Sequence, residues 1–246
     1  MWENITSDRC ETYIERHFGK KGKTESKPAI TISRAEGAGG LTVSSELVKY
    51  LKEKTTSHEE WTVFDQKLVV KVLEVFDLKG HVGKFMTEGH KGTVTDAFEE
   101  FIGLHPSTWS LVERTNATIL RLAQIGTCIL VGRGANLVTK DMPNVFHVRL
   151  VGSLEKRIEQ AMKAFGYNEK EAAKYIKKKD EGRKRYIKDN FEADIDDPLI
   201  YHIVINTDLV TYEEAARIIG TEVIRKYNLD APAKPEIMKG QRAAVF

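Results

Sequence analysis

Short apolar runs alternating with longer stretches of helical periodicity constrain this chain more than any other feature. The runs are Ala29-Ile30-Thr31-Ile32, Trp61-Thr62-Val63-Phe64, Thr127-Cys128-Ile129-Leu130-Val131, Val145-Phe146-His147-Val148-Arg149-Leu150 and His202-Ile203-Val204-Ile205. Several are apolar at consecutive positions, the pattern of strands covered on both faces. The sequence predicts helices over Thr42–Lys54, Gln66 to about Leu78, Ser107 to about Ile125, Ser153–Ala164, Asn168 to about Lys188, and Thr211–Tyr227. Leu47, Val48 and Leu51 in the first, and Ala215, Ile218, Ile219 and Val223 in the last, form one-sided stripes. This alternation predicts an α/β fold of three layers, with a parallel sheet of about five strands flanked by helices. Ligands bind such sheets beyond the carboxyl ends of the strands, so functional residues belong in the turns that follow them.

A chain of 246 residues, 41% hydrophobic and 30% charged, can bury one sizeable core and is too apolar for a disordered protein. Its net charge of +2 gives no global argument for nucleic acid or membrane partners, so an anion site must come from local clustering. Residues 1–27 read as an N-terminal extension: a short amphipathic helix with Ile5, Cys10, Tyr13, Ile14 and Phe18, then a charged linker. Residues 28–228 form the predicted domain, and residues 229–246 a loosely ordered tail. The first residues lack a signal-peptide pattern, and no apolar run approaches the roughly 18 residues a bilayer requires. Cys10 and Cys128 have no partners at metal-ligand spacing and read as reduced structural thiols, as expected in a cytoplasm.

The first strand leads into Ser33-Arg34-Ala35-Glu36-Gly37-Ala38-Gly39-Gly40-Leu41-Thr42 and then a helix. Glycines let successive amides curl around a phosphate, and the helix start adds its positive dipole end. The run is not Gly-x-x-x-x-Gly-Lys-Ser/Thr, because Gly40 or Leu41 stands where the lysine belongs. Two readings follow: a tight turn that binds nothing, or a degenerate phosphate cradle. In the second, Gly37, Ala38, Gly39, Gly40, Leu41 and Thr42 hold the phosphates, Arg34 supplies charge and Thr42 contacts Mg²⁺.

Later turns carry further candidates. Asp65 ends the second run, as a helix N-cap or as a ligand for Mg²⁺ or an acceptor nucleotide. Arg133 lies between Gly132 and Gly134 after the most apolar strand, free to turn toward a phosphate or toward solvent. Arg149 and Arg157 both stand where phosphates could approach, whereas His147 reads as a packed strand histidine. The basic stretch from Lys174 to Lys188 is either a solvated helix face or a cationic cover for phosphates. It contains Asp180-x-x-Arg183, which resembles the Asp-x-x-Arg of a kinase lid; the resemblance implies that Arg183 clamps phosphate and that Asp180 orients an arginine or the acceptor nucleotide. His58, His81, His90 and His105 form no metal set.

Taken in order, these segments resemble the cytidylate kinase-like family of P-loop nucleoside monophosphate kinases over residues 28 to 226. The likeness rests on Ile30-Thr31-Ile32-Ser33-Arg34 with its glycine turn, Phe64-Asp65-Gln66-Lys67-Leu68, Gly132-Arg133-Gly134, Asp180-x-x-Arg183 and Asp197-Pro198-x-x-Tyr201-x-x-x-Ile205-Asn206-Thr207. The resemblance implies a P-loop NTPase-like fold with a helical lid. It also implies ATP and Mg²⁺ as cofactors and phosphoryl transfer from ATP to a nucleoside monophosphate such as CMP. Arg34, Arg133 and Arg183 would then be catalytic. Asp65, Arg133, Arg157, Asp180 and Arg183 would bind the acceptor, while Asn206 and Thr207 would lie near the donor base. The segment from Lys79 to Pro106 would belong to the acceptor-binding insert. Leu41 replaces the basic residue often found in this family, Gly134 an aspartate, and His202 another aspartate. A catalytically weak or silent nucleotide-binding protein on the same fold is the alternative.

Overall fold

The computed structural model describes residues 12–13, 27–55, 60–65 and 108–229. The helix expected from Gln66, the Lys79–Pro106 insert, Cys10, the four scattered histidines and the tail from residue 231 lie outside the described residues.

The apolar runs become strands β1 (Ala29–Arg34), β2 (Thr62–Phe64), β3 (Cys128–Val131), β4 (Val145–Val151) and β5 (Ile203–Asn206). All pairings are parallel, in the order β2-β3-β1-β4-β5, so β1 is central with Ile30 opposite both Ile129 and Phe146. Among the described residues the helices are α1 (Gly40–Lys54), α2 (Thr108–Ile125), α3 (Ala135–Val138), α4 (Leu154–Phe165), α5 (Glu169–Phe191) and α6 (Tyr212–Tyr227).

The side-chain alternation of the strands sorts the core into two layers. Ile30, Ile32, Ile129, Val131, Phe146, Val148 and Leu150 pack with Val43, Leu47 and Leu51 of α1 and Ile219 and Val223 of α6. Ala29, Phe64, Cys128, Leu130 and Val145 pack on the other face with Ile119, Leu122 and Ala123 of α2. The expected sheet between helical layers is therefore present. Tyr13, from the segment read as an extension, is buried in the second layer, edge-on to Phe64 at 5.2 Å, and its hydroxyl donates to the Gly126 carbonyl. Burial pushes the Cys128 thiol up to about 12, so it behaves as an inert core group.

Helix boundaries follow local chemistry. Ser153 caps α4 by accepting from the Lys156 amide, and Asn168 with Glu171 and Thr211 with Glu214 form capping boxes on α5 and α6. α1 begins at Gly40, two residues before the expected Thr42, because Gly39 takes a left-handed conformation (φ 79°) and turns the chain directly into the helix.

His147 is a packed strand histidine, as expected. Its Nδ1 lies 2.9 Å from Thr31 Oγ1, and its amide donates to His202 Nδ1. Burial, then the neighbouring His202 and Lys226, pull its pKa down to about 4. The unfolded chain therefore binds a proton below about pH 6.5 that the folded chain refuses until about pH 4. Stability is expected to fall through that window as pH drops, by up to roughly 3 kcal/mol. Urea unfolding between pH 7 and 4 checks this: a His147→Gln variant should show a shallower decline than the parent.

Candidate functional site

The sheet order places a switch point beside β1. The chain leaves β1 toward β2 on one side and leaves β3 toward β4 on the other, so the turns after β1 and β3 flank one crevice at the strands' carboxyl ends. The glycine-rich turn and the Gly132-Arg133-Gly134 turn are these two.

Their backbones are built for close approach. Gly132, Arg133 and Gly134 all have positive φ, 90°, 56° and 67°. An arginine in that region is uncommon and concentrates where function demands it. A Cβ built on Gly132 would lie 2.2 Å from Arg34 Nη1, so the missing side chain is what admits the Arg34 guanidinium. Burial and then the charge of Arg183 pull Arg34 down to about 10, Arg133 acts in the same direction, and Glu36 and Asp65 oppose them. Arg34 thus sits among the two other arginines singled out in the sequence and beside Asp65. Arg133 is lowered mainly by burial, and its guanidinium lies 5.7 Å from the ring centroid of Tyr186 on α5.

Helix α5 covers the glycine-rich turn. Its residues Asp180, Arg183 and Tyr186, spaced by three, face the site together. Asp180 Oδ1 accepts from the Glu36 amide at 2.8 Å, and Arg183 donates to the same oxygen at 3.4 Å. Asp180 Oδ2 accepts from Arg157 Nη1 at 2.6 Å. Arg157 also donates to the Glu36 carbonyl at 3.1 Å and, through Nε, to the Gly152 carbonyl at 3.0 Å. Arg183 pairs with the Glu36 carboxylate, which also accepts from the Tyr175 hydroxyl. Of the basic run, then, Arg183 turns inward, while Lys177 and Lys184 pair with Glu181 and Asp196 on exposed ground.

The turn itself is partly engaged. The Glu36 amide is held by Asp180, and Gly39 lies against the Tyr212 ring. Gly40, Leu41 and Thr42 open α1 with no side-chain cap, and Leu41 is 53% exposed. A cleft of about 410 Å³ runs along the turn, lined by Gly37, Lys156, Arg157, Thr207, Asp208 and Tyr212 among others. Thr207 is thus at the cleft, with its hydroxyl donating to the Val151 carbonyl, and Asn206 accepts from the Asp208 amide. A larger groove of about 530 Å³, lined by Phe146, His202, Arg217 and Arg225, lies toward the strands' amino ends, away from the arginines.

Arg149 is engaged by the protein itself. It is 5% exposed, donates to Ser33 Oγ at 2.9 Å, pairs with Asp196, and lies over the Tyr201 ring. It ties the ends of β1 and β4 to Asp196 and Tyr201. Sequence reasoning passed over Glu36, Tyr175, Tyr186 and Tyr212 as site residues. The signal available for Tyr186 was its spacing of three from Arg183, which puts it on the same helical face.

A model of the cytidylate kinase-like family matches residues 29–209. The chain belongs to that family. The match spans both turns and the α5 residues, so the fold is a kinase-like nucleotide-binding one. Among solved structures, an uncharacterized protein from Eubacterium ventriosum ATCC 27560 superposes with a TM-score of 0.57 and 22% identity, over 80% of this chain and 98% of that one. Shikimate kinase from Bacteroides thetaiotaomicron aligns with a TM-score of 0.45 and 14% identity, over 80% and 98% of the two chains. A curated uronate isomerase from Corynebacterium glutamicum is 28% identical over 101 residues, 41% of this chain, which spans only 20% of that protein. No helix among the described residues is long and apolar enough to cross a membrane.

Within this cytidylate kinase-like frame, the residues can be tested against Mg²⁺. Among the described residues no group of three or more His, Cys, Asp or Glu could hold a metal. Thr42, exposed at the third position of α1, and Asp65, within electrostatic reach of Arg34, each offer an oxygen, the donor type that Mg²⁺ takes.

Proposed function

We propose that this protein transfers a phosphoryl group from MgATP to a nucleoside monophosphate, with a CMP-like acceptor. The observation that carries this reading is the meeting of Arg34, Arg133 and Arg183 at the crevice, where burial and mutual repulsion depress Arg34 to about 10. Glu36 and Asp180 hold Arg183, and Glu36 and Asp65 act on Arg34, and phosphates would add the further negative charge that such a cluster of cations favours. In this reading the ATP phosphates rest on Gly37, Ala38, Gly39, Gly40, Leu41 and Thr42, with the base toward the cleft at Thr207. The acceptor phosphate meets Arg133, and its nucleoside lies near Asp65. An acceptor oxygen attacks the γ-phosphorus in line. A new P–O bond forms as the bond to the β-bridging oxygen breaks, and ADP leaves with that electron pair. No protein base is required, because the acceptor is already ionised. Arg34 and Arg183 neutralise charge on the moving group, and Asp180 orients Arg183 and Arg157. Thr42 and Asp65 would hold Mg²⁺, which screens the phosphate charge.

One observation favours the catalytically silent alternative: an exposed leucine, Leu41, stands where a cation would help the cradle. A coupled ADP-release assay with MgATP and CMP, UMP, AMP and GMP decides between them. Turnover with one acceptor, lost in Arg133→Ala, supports the kinase. Nucleotide binding in calorimetry without turnover on any acceptor supports the silent protein. No nucleotide binding sinks both.

A further inference from the structure

The cations offered to phosphate already carry an anion supplied by the chain. Glu36, within the glycine-rich turn, places its carboxylate on Arg183, accepts from Tyr175, and is 19% exposed. Its own amide is meanwhile held by Asp180, so the turn and α5 are fastened to each other from both ends of one residue. Asp180 differs in kind: it binds two arginines and an amide at once, as expected of a residue that orients them. Among the described residues the Glu36 carboxylate is ion-paired with Arg183 alone, and Arg34 feels its charge from beyond ion-pair distance.

We infer that Glu36 is an internal competitor for Arg183 and thereby sets how strongly an anion must bind to occupy the site. The inference rests on the phosphate-binding reading above. A ligand phosphate can take the Arg183 fork only if Glu36 is displaced, or if the two anions share one guanidinium against their repulsion. Either route costs every ligand about the same. A single phosphate offers one group to set against that cost. A di- or triphosphate reaches Arg34, Arg133 and the uncapped start of α1 as well, and so clears it. Glu36 thus lowers the affinity of every phosphate ligand alike, so that at a given concentration only those with further contacts stay bound, an affinity-setting role distinct from catalysis.

The test is calorimetric titration of the whole protein with inorganic phosphate, pyrophosphate, tripolyphosphate and sodium ATP. Glu36→Gln keeps the shape and removes the charge, and is expected to tighten pyrophosphate and ATP about tenfold and bring phosphate into the measurable range. Glu36→Ser removes the carboxylate with a smaller side chain and is expected to show the same gain, so the test survives misfolding of either variant. In an Arg183→Gln background the Glu36→Gln gain should vanish, because the contested cation is gone. A merely structural Glu36 would not produce that dependence. If wild type binds ATP and both Glu36 variants bind it equally or more weakly, the competitor role is overturned while the phosphate-binding reading stands. If the gain persists unchanged without Arg183, the exchange at that cation is likewise overturned. If no variant binds any of the four anions, the phosphate-binding reading fails and this inference fails with it.

Discussion

Replacing Arg183 by alanine is expected to lower kcat for phosphoryl transfer by about two to three orders of magnitude, with the protein still folded. The guanidinium is 23% exposed, its ion-pair partners Glu36 and Asp180 keep Tyr175, the Glu36 amide and Arg157 as donors, and no apolar core contact is lost. Removing one partner of a pair this buried costs roughly 1–3 kcal/mol, and each kcal/mol moves Tm by about 2–4 °C in a chain of this size, so the variant stays folded at assay temperature. On the proposed reading the transition state, by contrast, loses a planar fork able to take a phosphate, carried by the helix that also reaches Glu36, Arg157 and Arg133. Arg183→Lys retains the charge without the fork and should fall between the two, since ammonium and guanidinium differ in geometry more than in charge. Steady-state kinetics on both variants, with thermal melts alongside, makes the comparison. If Arg183→Ala keeps wild-type kcat, α5 has no part in the chemistry and is only a packed layer over the turn.

The fold was readable because burial on both faces writes itself into sequence as consecutive apolar residues. Ile129-Leu130-Val131 and Val145-Phe146 sit within one residue of their expected strand ends for that reason. Boundaries slipped where a backbone conformation, not a side chain, decides them. Gly39 starts α1 early through its positive φ, and the four-residue helix α3 after Gly134 is too short to carry any period. The candidate site was legible as glycine-rich turns after β1 and β3 and an Asp180-x-x-Arg183 pair on a helix, each of which also had a purely structural reading. Which cation points where was not legible. Arg149 and Arg157 look alike along the chain, yet Ser33 and Asp196 hold the first while Asp180 draws the second to the turn. The basic run was ambiguous for a related reason. Only Ala172, Ile176 and Ile187 are buried on α5, too few apolar positions to mark its inner face, and that face is instead defined by partners distant in sequence.

Gly39→Ala is expected to cost about 2–4 kcal/mol of stability and to weaken nucleotide binding at least tenfold. Two effects combine. The residue sits at φ 79°, where an alanine loses roughly 1 kcal/mol relative to glycine. The new Cβ would also lie 2.3 Å from Tyr212 Cε1 and 2.6 Å from Cζ, against a ring seated on the first turn of α6. That ring is half-buried, and burial holds its hydroxyl pKa above the usual tyrosine value, so swinging it aside exposes apolar surface and disturbs the cleft wall. The double variant Gly39→Ala with Tyr212→Ala separates the two contributions, because it relieves the overlap and leaves the backbone strain. It should recover stability relative to Gly39→Ala alone, by the difference a double-mutant cycle reads as coupling. Tyr212→Ala alone should be mildly destabilising, since its loss only opens the cleft. Equilibrium denaturation gives the stabilities, and titration with ATP gives the binding. If Gly39→Ala melts and binds like the parent, the turn tolerates a Cβ and Tyr212 does not set its shape, and the close approach of backbone to phosphate at this position loses its structural basis.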